Sequence, residues 1–76
     1  MPDTVKTVQY TIYFNTKECP GEYMVREWFV YSGRVEPGKI IKRSRTLHAA
    51  RNVIPKGLTK VVRSPGDDTC IIETWI

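Results

Sequence analysis

The residues that could do chemistry in this sequence are few. They are one histidine, His48, two cysteines, Cys19 and Cys70, the adjacent pair Asp67-Asp68, and the hydroxyl of Ser44. A nucleophile needs a base within hydrogen-bond reach and a third group to orient that base. Neither Ser44 nor Cys19 stands with His48 in a recognised motif of that kind, and nothing beside Cys19 would draw its thiol toward the thiolate. Next to Pro20, Cys19 reads as an exposed turn residue. A zinc site asks for four ligands at compact spacing, whereas Cys19, His48 and Cys70 are scattered and one short. Two neighbouring aspartates point apart along a turn, so "SPGDD" reads as a hairpin turn in which an aspartate bonds its own backbone. The five glycines fall singly, which leaves no glycine loop to cradle a phosphate. The expectation is a protein with no catalytic residue, no metal, no cofactor and no small-molecule substrate.

Charge is more informative than catalysis. The chain has 76 residues and a net charge of +4. Lys39, Lys42, Arg43, Arg45, Arg51, Lys56, Lys60 and Arg63 lie in one stretch that contains no Asp or Glu, while every acidic residue lies outside it. A solvated face ordinarily mixes signs. The segregation therefore predicts a nucleic-acid-backbone surface made by Lys42, Arg43, Arg45, Arg51, Lys60 and Arg63, whose cations would displace condensed counterions. A basic patch that merely keeps the protein in solution is the plainer reading of the same residues. Stacking on single strands interleaves aromatics with cations, yet the basic stretch has no aromatic. The run "VREWFVYSGR" does mix them, but Glu27 interrupts it, and Trp28 and Phe29 read as core. Duplex backbone contact ranks first.

These residues must be positioned by short elements. Pro20-Gly21, Pro37-Gly38 and Pro65-Gly66 each predict a turn, because proline presets φ and the following glycine accepts φ > 0. "VKTVQYTIYFN" alternates, with Val8, Tyr10, Ile12 and Phe14 toward the core. In "EYMVREWFVYS" one face holds Tyr23, Val25, Glu27, Phe29 and Tyr31, the other Met24, Arg26, Trp28 and Val30. A short third strand is expected around Val35 to Arg43, folding back through Pro37-Gly38. "SRTLHAARNVIP" has helical spacing: Leu47, Ala50 and Ile54 form an apolar stripe, and His48, Arg51 and Asn52 lie opposite. Ser44 or Thr46 can cap it, and Pro55 ends it. "LTKVVRS" and "TCIIETWI" read as a closing hairpin, and the apolar end at Trp75 and Ile76 as docked.

The sum is one α+β domain over residues 1–76. It is a small, mostly antiparallel sheet of four to five strands with one short helix packed on it, in the order β-β-(β)-α-β-β. The N-terminus "MPDTVKTVQY" lacks the basic and apolar regions of a signal peptide, and no apolar run approaches a bilayer span. The expectation is a cytoplasmic protein with both cysteines as thiols and no membrane partner. The alternative function is a protein-protein interaction module, a small inhibitor or adaptor, or a homodimer. It would act through an exposed edge at the first or terminal strand, or through an aromatic face with Tyr13, Tyr23, Tyr31 or Trp28 as anchors.

Overall fold

Alternating β-branched and aromatic residues build five strands in this computed structural model, which describes residues 7–62 and 69–76. The elements are β1 (Thr7–Phe14), β2 (Tyr23–Tyr31), β3 (Arg34–Ser44), α1 (Leu47–Arg51), β4 (Lys60–Val62) and β5 (Ile71–Trp75). All the pairings are antiparallel, and the sheet runs β3-β2-β1-β5-β4. Element order and the single packed helix are as expected. The class is more β-rich than α+β, since 56% of the described residues are strand and the helix has five residues. That proportion follows from Pro55, which leaves the helical pattern no room beyond its second turn.

The chain crosses the sheet once. After β3 at one edge, α1 and the segment up to Thr59 carry it over one face to β4 at the other edge, and β5 returns between β4 and β1. This crossing makes one face covered. Ile12, Val25 and Ala50 are fully buried there, and Tyr10, Tyr23, Leu47, Val53, Ile54, Ile72 and Trp75 pack around them. The helical stripe therefore faces the core as expected. Thr46 is the N-cap, its Oγ1 accepting from Ala49 N at 3.2 Å.

Turn chemistry separates the Pro-Gly pairs. At Pro20-Gly21 the Cys19 carbonyl accepts from Glu22 N at 3.2 Å, so a turn forms. Pro37-Gly38 is no turn; it lies inside β3, and the chain reverses at Ser32-Gly33, where Gly33 has φ 85°. A two-residue hairpin loop needs such a residue. Gly38 serves a different need, because a Cβ there would stand 2.8 Å from Phe29 Cε2 and 3.1 Å from the Glu27 carbonyl oxygen. Pro37 is tolerated because β3 is an edge strand with two register shifts. The Pro65-Gly66 turn and Asp67-Asp68 lie outside the described residues.

β4 and β5 pair as a closing hairpin, and Ile76 and Thr59 exchange backbone hydrogen bonds at 2.8 and 3.0 Å, so the backbone of the last residue is docked. Among the described residues no helix is long and apolar enough to cross a membrane.

Candidate nucleic-acid interface

Register assigns the basic residues to faces, because residues directly opposite in a ladder point the same way. Lys42 pairs with Val25 and Lys60 with Trp75, so both stand on the covered face. Arg43 pairs with Met24 and stands on the other, open face. Arg45 is exposed between β3 and α1, beside the helix start. Arg63 lies outside the described residues. The strand period of two thus splits Lys42 from Arg43, and leaves Lys42 and Lys60 on one face at opposite edges of the sheet. Lys39, Lys42, Arg43, Arg45 and Lys56 are exposed and form no ion pair among the described residues.

Arg51 is different. Its Nε and Nη2 donate to Glu73 Oε1 and Oε2 at 2.7 and 2.9 Å, and Glu73 also accepts from Trp75 Nε1 at 3.1 Å. Glu73 is 4% exposed. The hydrogen bond from Arg51 outweighs burial and holds the Glu73 carboxyl below its ordinary value, with Trp75 and the Lys60 charge acting in the same direction. Arg51 was expected among the solvated residues of the helix. It instead ties α1 to β5, and its charge is shared with a buried carboxylate. Glu73 stands on the covered face because it pairs with Ile12 in the regular part of the β1–β5 ladder, and the register shift that follows at Ile12/Tyr13 lets the adjacent Ile72 pack on the same core.

The open face holds what the sequence placed elsewhere. Trp28 was read as core, yet it pairs with Gln9 on this face and is half-buried. Its Nε1 donates to the Tyr13 hydroxyl at 3.1 Å. Tyr13 lies four residues along β1 from the Trp28 partner, roughly 13 Å at strand rise, so the two side chains lean toward each other over Thr11. That accounts for Thr11 being 5% exposed. Arg26 stands beside Thr11, and its Nη1 donates to the Gly38 carbonyl at 3.1 Å, where the bulged edge frees it from the ladder. Glu27 does not interrupt this surface. It pairs with Tyr10 on the covered face, as Glu36 does with Phe29 and Glu73 with Ile12, so all three described strand carboxylates are on that face. Strand alternation was the signal that could have found this.

Two further expectations change. Cys19 is not an exposed turn residue; it is 3% exposed, with its N–H donating to Thr16 Oγ1 at 3.1 Å in the loop that folds over the sheet end. A small thiol buries readily as an apolar group. The two cysteines are thiols, not a disulfide. The expected edges, the first and terminal strands, are both interior, and the edges are β3 and β4. Among the described residues no group of three or more His, Cys, Asp and Glu converges as metal ligands would. No family model matches the sequence, and no curated protein or solved structure is significantly similar to it.

Proposed function

We propose that the protein is a small non-enzymatic binding module whose basic segment contacts the backbone of nucleic acid. Lys42 and Lys60 carry the contact from the covered face and Arg45 from beside the helix start, Arg43 adds a cation at the β3 edge from the open face, and Arg51 adds a charge moderated by Glu73. The supporting observation is that, in a stretch free of acidic residues, Lys42, Arg43 and Arg45 stay exposed and form no ion pair among the described residues, while Arg51 is bound to Glu73. Unpaired cations gain most from releasing the counterions of a polyanion. Strand addition by a protein partner or a second copy is less favoured. The long edge β3 carries Pro37, Lys39, Lys42, Arg43 and two register shifts, and β4 is three residues long, features that resist edge pairing.

The test is titration of a labelled duplex at two salt concentrations. Affinity should fall steeply with salt, and Arg43→Ala with Arg45→Ala should flatten the slope by about 0.9 per lost phosphate contact. Absence of binding at low salt would overturn the proposal.

A further inference from the structure

We propose that the open face of the sheet binds single-stranded nucleic acid, with bases stacked on Trp28 and Tyr13 and phosphates held by Arg26 and Arg43. This rests on the nucleic-acid reading and names the form of ligand and the surface that reads it. Three observations meet there. The first is aromatic surface: Trp28 and Tyr13, both half-buried, meet through a hydrogen bond on the face that the α1 crossing leaves open. The second is charge. The described strand residues of this face include Arg26 and Arg43, and every strand carboxylate is on the other side. A polyanion can therefore lie along this face without meeting a described strand carboxylate, and the bases of a nucleic acid can in addition stack on the rings. The third is space. A cavity of about 380 Å³ opens beside Tyr13, Met24 and Arg26, with Lys17 and Glu18 at its rim. That volume is in the range of small-ligand sites and accommodates an unstacked base.

The chemistry distinguishes single strands from duplexes. In a duplex the base planes are stacked on one another and only edges and phosphates are presented, so the rings would have nothing to cover. A single strand can splay its bases onto aromatic side chains while its phosphates follow the cations. Arg26 is suited to the second role because the Gly38 carbonyl fixes one guanidinium nitrogen and leaves the other donors for phosphate.

The test compares a labelled mixed-sequence single strand of about 12 nucleotides, its duplex and poly-glutamate on the full chain. The single strand should bind about tenfold tighter than its duplex, and Trp28→Ala should weaken it about five- to 150-fold without changing the salt slope. Arg26→Gln should lower the salt slope by about 0.7. If Trp28→Ala does not fold, Tyr13→Ala and Trp28→Phe carry the comparison, with the larger loss expected from Tyr13→Ala. Equal affinity for duplex and single strand, with Trp28 and Tyr13 variants silent, overturns the stacking surface and leaves the backbone proposal standing. Poly-glutamate binding as tightly as the single strand overturns it in favour of an acidic protein partner. Failure of every polyanion to bind at low salt overturns both proposals.

Discussion

Ile12 and Thr11 are neighbours on β1, nearly equal in burial, and buried by opposite means. Ile12, at 0% exposure, lies under an element: α1 and its flanking segment bring Ala50, Leu47, Val53 and Ile54 onto it. Thr11, at 5%, lies under side chains of its own sheet that lean over it. Polar groups follow the same division. The covered face secures its buried carboxylate with an arginine 22 positions away in sequence, while the open face carries its cations near solvent. The helix and its flanking segment pack on one face, while the other presents Trp28, Tyr13, Arg26 and Arg43 with no helix above them. Substitutions at matched positions test how real that division is.

The largest difference should come from the two centres of burial. Ile12→Ala removes a fully buried side chain between sheet and helix and should cost about 3–5 kcal/mol, a residual cavity adding to the lost transfer energy. Met24→Ala, at 2% exposure on the open face, should cost about 2 kcal/mol, because a site without an element above it can collapse. Denaturant unfolding of both variants measures this. Equal losses would mean that the open face has a core of its own.

Next in size is the latch between α1 and β5. Arg51→Ala leaves the Glu73 carboxylate buried with Trp75 Nε1 as its remaining hydrogen-bond donor, and should cost on the order of 2–4 kcal/mol. Arg43→Ala, an exposed cation of the same segment, should stay within about half a kcal/mol. The pH dependence follows from the lowered Glu73 value. A carboxyl that is more acidic in the folded state contributes stability that is fully present above its unfolded value of about 4.3 and is lost as pH falls through its folded value. Melting temperature should therefore decline in this acid window, and Glu73→Gln should remove that part of the decline. A decline unchanged in Glu73→Gln would place the acid-sensitive group elsewhere.

Gly38→Ala probes the register that separates the faces, and an effect of about 1–2 kcal/mol is expected from crowding against Phe29 and the Glu27 backbone. A neutral result in thermal unfolding would show that the edge strand shifts freely. This glycine also marks where sequence stopped being sufficient. The Pro20-Gly21 and Pro37-Gly38 pairs are the same dipeptide, yet one turns the chain and the other gives room to a neighbouring ring, and the ring belongs to another strand. Thr46 as cap and the Leu47, Ala50 and Ile54 stripe were legible because capping and helical period are local. The strand order was not legible, since nothing in β5 itself says that it inserts beside β1. The place of Arg51 was hidden for the same reason: its partner is 22 residues away, on a strand that inserts beside β1. The side of Glu27 was written in the alternation of β2 and was obscured by reading the run as a linear string.

The smallest effect concerns the contact that closes the open face. Tyr13→Phe keeps the ring and removes the hydroxyl that accepts from Trp28 Nε1, a bond of 3.1 Å in a half-buried setting. The indole N–H then has water as its substitute, so the loss should be about 0.5–1 kcal/mol, the net worth of an ordinary hydrogen bond. The local consequence is sharper than the global one. Without its acceptor the indole is no longer held over Thr11, so Trp28 should become more accessible to a neutral fluorescence quencher, while Trp75, packed on the other face against the Ile12 cluster, should not change. Tryptophan quenching in Tyr13→Phe and wild type, each with Trp75→Phe as background, separates the two signals. A loss well above 1 kcal/mol would mean that the Tyr13 hydroxyl holds together more than the indole, and that the open face is structural after all. An unchanged quenching profile would mean that packing against β1, and not the hydrogen bond, sets the ring's position, which would leave the stacking surface in place with Trp28 held independently of the Tyr13 hydroxyl.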